Sequence, residues 1–373
     1  MNRAAEGVLR AVDVIICIAL GAVVVWLGYA RFYREVNSAL LILALVAGGI
    51  LGSLVCTAFH ELGHVLAGLC CNFRLNNISV GFLSLRREDG RVCLRLRRTG
   101  DSLAGSTEML PRSSENLYGR FLFTVAGGLL FSFLFLAGTV LAVVFYSRLH
   151  FAAFALICTA MPFAFHLFFY NALPFNDDNL DTDGGMIKGL LQKDASYLTA
   201  VNILAVEGYM WQGCSPSEID PALYFDLPQL PEDDLNFILL TSYRFMYFLD
   251  ADDFANAEKY GRRLEDLLEY APYLYRMELT ADALFCACYV SMDEERAREL
   301  YEKCAGYLKG ENSVQSNRVA AAYEWRINKN RSAALHALSG AESRADACEI
   351  KGLVKYERKL ISALRAEIVP EEN

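Results

Sequence analysis

Charge is scarce in this chain. Of 373 residues only 21% are charged, against 54% hydrophobic, and the mean hydropathy is +0.24. A composition this apolar excludes intrinsic disorder and disfavours a wholly soluble protein. The even, regularly spaced cysteine framework of a disulfide-stapled secreted domain is also missing. The eleven Cys are odd in number and scattered, several inside apolar runs, so a reducing compartment is expected. There is no Gly-rich phosphate loop. The arginines between residues 71 and 121 sit beside apolar runs with no aromatic platform among them, which argues against a nucleic-acid partner. A cleaved signal peptide is disfavoured too, because the first apolar run is too long for one and no small-residue cleavage site follows it.

The charge that is present is uneven. Residues 1–200 hold 16 Lys/Arg against 14 Asp/Glu, whereas residues 201–373 hold 19 against 30. Two parts bathed in different solvents are implied. Residues 11–30 carry a single charge, Asp13, and about twenty residues at the helical rise cross a hydrocarbon core of roughly 30 Å. Further runs at 39–71, 121–146 and 151–173 bring the expected spans to four. The loop from Cys71 to Phe121 contains nine arginines and the N-terminus adds Arg3 and Arg10, while the opposite side has only Arg31, Arg34 and Arg148. By the positive-inside rule both termini then lie in the cytoplasm of a multi-pass cell-membrane protein, and the lack of a targeting segment beyond the first span suits a prokaryotic membrane.

Ionisable residues inside a span are functional candidates by default. Here three come together: His60-Glu61-Leu62-Gly63-His64 reads H-E-x-x-H in a chain with only five His. Helical geometry places the two His four residues apart on one face, where both imidazoles reach one zinc ion, with Glu61 one step round as general base. A catalytic zinc needs a third protein ligand. The end of the fourth span reads Asn171-Ala-Leu-Pro174, followed by an acidic stretch that ends in Asp183-Gly184-Gly185.

H-E-x-G-H near the end of one span, with N-x-x-P and then D-G at a later one, resembles the site-2 protease family of intramembrane zinc metalloproteases. The resemblance covers about residues 39–200. It implies that His60, His64 and Asp183 hold zinc, that Glu61 is the general base, and that Asn171 and Pro174 shape the site. Asp183 follows Pro174 at an offset of nine residues, more than the five or so in many members, and the extra stretch contains Asp177, Asp178 and Asp181. Asp178 and Asp181 remain alternatives. Asp183 is preferred because Gly184-Gly185 allows a permissive turn into the next helix. In the third span Ala126-Gly127-Gly128-Leu129-Leu130-Phe131-Ser132 resembles the family's G-G-P-x-x-N, with Leu129 and Ser132 as departures. The two glycines are expected to serve helix packing, and the departures to leave zinc chemistry untouched.

In the second loop, Ile78–Leu85 and Arg91–Arg97 flank Glu88-Asp89-Gly90, which predicts a β-hairpin. Two uses are open: a hairpin lying on the membrane, or an edge that pairs with an unwound substrate. His166 reads as a satisfied core histidine, and Cys70-Cys71 and Cys286-Ala-Cys288 as packing thiols. After a helix near 186–206, the prolines at 216, 221, 228 and 231 suggest a linker at 207–232. Helix pairs follow at 233–249 with 252–270, 272–290 with 293–308, and 313–327 with 331–338, then a last helix at 345–368. Ala257, Ala297 and Ala334 align, and the pattern resembles tetratricopeptide-type repeats.

The expected architecture is therefore an all-α polytopic membrane protein with about four transmembrane helices and a small β-hairpin, plus a soluble α-helical repeat-like domain. Its parts are residues 1–206, the linker 207–232 and the domain 233–373. The expected activity is intramembrane zinc metalloproteolysis of membrane-spanning or membrane-inserted substrates, with a cytosolic protein partner for the repeats. The alternative is an inactive membrane adaptor.

Overall fold

The computed structural model describes residues 3–88, 91–96, 105–177 and 180–369. It is mostly helical and contains a small antiparallel sheet. The chain divides into two compact units, Met1–Leu110 with Glu115–Asp194, and Pro111–Ser114 with Ala195–Asn373. The division precedes the boundary at 206 read from the sequence.

In the first unit, α1 (Arg3–Phe32), α2 (Ser38–Cys70) and α3 (Leu117–Val144) are long helices. The fourth apolar stretch is built from α4 (Phe151–Ala153), a π-helical turn (Phe154–Cys158) and α5 (Met161–Ala172). All four stretches are long and apolar enough to cross a membrane. Ile18, Trp26, Leu43 and Val144 stand exposed on their outer faces, a surface that suits hydrocarbon better than water. Asn37 starts α2, its side chain accepting a hydrogen bond from the Ala39 amide.

Four strands follow α2: β1 (Phe73–Val80), β2 (Leu83–Glu88), β3 (Arg91–Leu96) and β4 (Ser106–Pro111), in the sheet order β3-β2-β1-β4. The expected hairpin is present as β2 and β3, with Leu83 opposite Leu96 and Leu85 opposite Leu94. The first arm, however, is two strands rather than one. Gly81 takes φ +57°, so the chain reverses there and Val80 pairs with Leu83. Asn76 on β1 donates to Glu108 on β4, at 2.8 Å.

The acidic stretch after α5 folds back on itself. β5 (Asn176–Asp177) and β6 (Leu180–Asp181) pair antiparallel, and α6 (Asp183–Leu191) begins immediately after Thr182, whose hydroxyl accepts from the Gly185 amide. The extra residues between Pro174 and Asp183 are thus taken up in a short strand pair.

The second unit opens with α7 (Ala195–Gln212), which packs on α9 (Leu235–Asp250) and α15 (Lys351–Ile368). The helix expected near 186–206 is therefore two helices, α6 and α7, separated at Lys193, which takes φ +54°. The Pro-containing stretch read as a linker is folded. It includes α8 (Ala222–Phe225), buries Tyr224, and ties that residue down through its hydroxyl to the Pro216 carbonyl (3.0 Å) and through its own carbonyl to Arg244 Nε (2.8 Å).

Beyond it, α9 pairs with α10 (Phe254–Leu267), α11 (Tyr273–Phe285) with α12 (Glu294–Gly310), and α13 (Val314–Arg326) with α14 (Arg331–Ala347). Ala257, Ala297 and Ala334 are fully buried, as close helix pairing requires. The last break falls at residues 348–350, because α14 continues to Ala347.

A buried polar cluster crosses this core. Arg318 on α13 donates to Glu357 on α15 through Nε (2.5 Å) and Nη2 (3.1 Å), and its guanidinium lies 4.0 Å from the Phe285 ring centroid. Asp282 accepts from Gln315 Nε2 at 2.7 Å and from the Ser242 hydroxyl at 3.2 Å. Arg318 is already matched by Glu357, so Asp282 is a surplus negative charge. Burial raises its carboxyl above the ordinary range.

Two outcomes are expected from chemical denaturation of the detergent-purified chain followed by circular dichroism. Glu357→Gln, which strips a buried Arg of its counter-charge, lowers the stability of this unit by about 3–5 kcal/mol. A carboxyl whose folded value is raised binds its proton more tightly in the folded state, so its contribution to stability declines as pH rises above the unfolded value of about 4. Asp282→Asn is then neutral near pH 4 and stabilises by about 1 kcal/mol or more near pH 8. A flat difference between the two pH values contradicts this assignment.

Candidate metal centre

The local geometry begins with two backbones. Where α2 crosses α3, a Cβ on Gly63 would lie 2.4 Å from the Gly127 carbonyl oxygen, and one on Gly127 would lie 2.5 Å from the Gly63 carbonyl oxygen. Only glycine at both positions allows this approach. It puts the imidazole face of α2 directly on α3. His64 Nε2 occupies space beside Gly128 that any side chain there would fill, a Cβ standing 2.3 Å away.

Each imidazole is then fixed from behind. His64 Nδ1 lies 3.0 Å from the Thr124 carbonyl oxygen. A carbonyl only accepts, so Nδ1 carries the proton and Nε2 presents a lone pair. His60 Nδ1 lies 2.8 Å from Ser132 Oγ, which can accept in the same way. The two Nε2 atoms face each other at 3.2 Å.

Asp183 completes the group from the first turn of α6. Its Oδ2 lies 3.4 Å from each His Nε2 and is buried without a hydrogen-bond partner. With His60 Nδ1 donating to Ser132, two imidazole lone pairs and a carboxylate converge with no donor between them. A four-coordinate divalent ion with ligand bonds of 2.0–2.1 Å spaces its ligands by about 3.3 Å, which is the spacing found here. The three residues fit such an ion.

The position of Asp183 depends on Gly184, but not through an unusual turn. Neither Gly184 nor Gly185 has a positive φ. A Cβ on Gly184 would instead lie 2.4 Å from the Ala172 carbonyl oxygen, so glycine lets α6 start against the end of α5. Of the alternatives, Asp181 is taken up in the β5–β6 pair and Asp178 lies outside the described residues. Asn171 turns its amide back onto its own helix, donating to the Leu167 carbonyl at 2.9 Å. Pro174 leads into buried Phe175, whose amide donates to Thr182 Oγ1 at 3.2 Å, so this segment braces the turn that carries Asp183.

Glu61 is buried beside the pair and is engaged by β4. The Thr107 hydroxyl donates to Glu61 Oε2 at 2.6 Å, and the backbone of Gly105 comes so close that a Cβ would lie 2.2 Å from Glu61 Oε1. Sequence reasoning missed Thr107, Gly105 and the Thr124 carbonyl, which no motif marks. It assigned Gly128 to helix packing and Ser132 to a departure from a motif, and the structure adds that Ser132 touches His60 and Gly128 makes room for His64. A hydroxyl in an otherwise apolar run was the available signal for Ser132. His166 is not a core residue, since its ring is half exposed and pairs with Asp13.

Comparison with family models, with curated proteins and with solved structures finds no match.

Metal analysis of the purified chain tests the geometry. Relative to wild type, His60→Ala, His64→Ala and Asp183→Ala are each expected to lose one bound divalent ion per chain, and Asp181→Ala to lose none. Ser132→Ala removes a hydrogen bond behind one ligand and is expected to weaken binding about 10–100-fold. Unchanged metal content in Asp183→Ala refutes the three-ligand assignment.

Proposed function

We propose that the chain is an intramembrane zinc metalloendopeptidase similar to the site-2 protease family, embedded by its four apolar helical stretches. One observation carries this reading: His60, His64 and Asp183 converge at ligand spacing, with Glu61 on the next residue of the same helix, inside a bundle of membrane-length helices. Bound there, zinc would supply a Lewis acid for the scissile carbonyl and acidify water at neutral pH.

The chain's own residues do the rest. Glu61 accepts the proton of the attacking water and passes it to the leaving amine. Thr107 holds one Glu61 oxygen and so orients the other. Thr124 and Ser132 keep the imidazoles in the tautomer that points Nε2 inward. A helical substrate must unwind before its carbonyl can be attacked, and the exposed backbone then needs partners. β4, which ends the sheet among the described residues, lies beside Glu61 and suits strand addition better than the hairpin edge of β3 on the far side of the sheet. The apolar hairpin face formed by Leu83, Leu85, Val92, Leu94 and Leu96 is exposed and suits the lipid surface. In this reading both termini are cytoplasmic, and the α-helical second unit recruits a protein partner.

Glu61→Gln separates an enzyme from an adaptor. Membranes from cells expressing wild type are expected to release fragments cut within apolar segments, detected by mass spectrometry. Glu61→Gln reduces that release about 10²-fold or more while metal content and folding persist. Equal release from both proteins sinks the protease reading.

A further inference from the structure

We propose a second metal site, built from Asp13, Cys17 and His166, that takes a borderline divalent ion such as zinc or cobalt. It uses none of the residues at the first centre and does not rest on the protease reading. Asp13 and Cys17 stand four residues apart on one face of α1, and His166 reaches them from α5. One ligand atom from each lies within 4.8 Å of the others. Cys17 Sγ is 3.6 Å from Asp13 Oδ1, close to the roughly 3.5 Å edge of a tetrahedral ion with a 2.3 Å bond to sulfur and a 2.0 Å bond to oxygen. His166 Nδ1 lies 2.6 Å from Asp13 Oδ2.

Charge favours the ion. Asp13 is the only charged residue of 11–30 and is 3% exposed. The nearest guanidinium on its helix, that of Arg10, is bound to Glu6 at 2.6 Å and stacked over Tyr170 and Phe175. A divalent ion held by one carboxylate, one thiolate and one neutral imidazole makes a group of zero net charge, the form that an apolar surrounding tolerates best. Binding is balanced by loss of the Cys17 thiol proton to solvent as the metal–sulfur bond forms, while the neutral His166 ring keeps its one proton on Nε2 and so frees the Nδ1 lone pair for the ion. The His166 side chain is 52% exposed, which leaves one flank of the group uncovered by protein.

Cobalt(II) added alone to the detergent-purified, metal-stripped full chain is the test, because a thiolate-to-cobalt charge-transfer band in the near ultraviolet reports sulfur ligation and the first centre contains no sulfur. Wild type is expected to show the band. Cys17→Ser abolishes it, His166→Ala weakens cobalt affinity about tenfold or more, and His60→Ala with His64→Ala leaves it intact. No band in folded wild type at saturating cobalt overturns the proposal, as does a band that survives Cys17→Ser. Loss of the band in the His60/His64 variant also overturns it as an independent site. Cys17→Ser is nearly isosteric and His166 is half exposed, so each variant reads the site without relying on the other's folding.

Discussion

The contact of two glycine backbones where α2 crosses α3 is the constraint on which the first unit turns. At that crossing Gly63 and Gly127 leave no room for a side chain on either helix. Everything polar at the centre is then within reach of a neighbour on α3. His64 slots beside Gly128 and finds the Thr124 carbonyl, and His60 finds Ser132 one turn further along. With side chains at the crossing the helices would stand further apart, and each imidazole would lose the acceptor that fixes its tautomer. The glycine inside the H-E-x-G-H run is therefore as much a part of the centre as the residues around it. Its role is to set the distance at which both histidines reach the acceptors that orient them.

Much of this was legible in the sequence because it is local. Apolar runs announce the four long stretches, helical spacing puts His60 and His64 on one face, and the helix pairs of the second unit were found in order, although α14 runs nine residues past its expected end and α15 starts six residues late. The aspartate was legible only through a resemblance, and the structure supplies a different physical reason for its glycine: close approach of α6 to α5 rather than a left-handed turn. What the sequence hid is long-range. Thr107 and Gly105 lie more than forty residues from Glu61 in a loop of no distinctive pattern, and only the pairing of β4 into the sheet brings them to it. The single strand expected at 78–85 failed because one residue, Gly81, reverses the chain inside an otherwise strand-like run. The end of α7, residues 207–212, and α8 were hidden for the opposite reason: prolines and polar residues read as a linker where tertiary packing overrides local propensity.

The second unit solves its packing with charge rather than with glycine. Arg318 is buried together with Glu357, and a pair of that kind gives little net stability over an apolar pair of equal volume. It does impose register. The planar fork of Arg318 meets both oxygens of Glu357 only when α13 and α15 lie at one offset, and the Phe285 ring beneath the guanidinium fixes α11 against the same group. Alanines at the helix contacts accept many offsets, so the ion pair selects among arrangements that small apolar residues alone would leave nearly equal.

The two clusters in the first unit differ in what they lack. At His60, His64 and Asp183, every group that points inward is an acceptor, and the Asp183 Oδ2 atom has no donor at all. The fold has set three candidate ligands at metal spacing, a group whose charge an added cation would balance. At Asp13 the carboxylate already has a donor on each oxygen, the Cys17 thiol on one and His166 on the other. An ion there must displace protons and break a 2.6 Å hydrogen bond before it binds. The first centre is thus preorganised for a cation and the second must be reorganised by one. If both groups bind zinc, the first would therefore need less reorganisation than the second and would be expected to fill at the lower concentration.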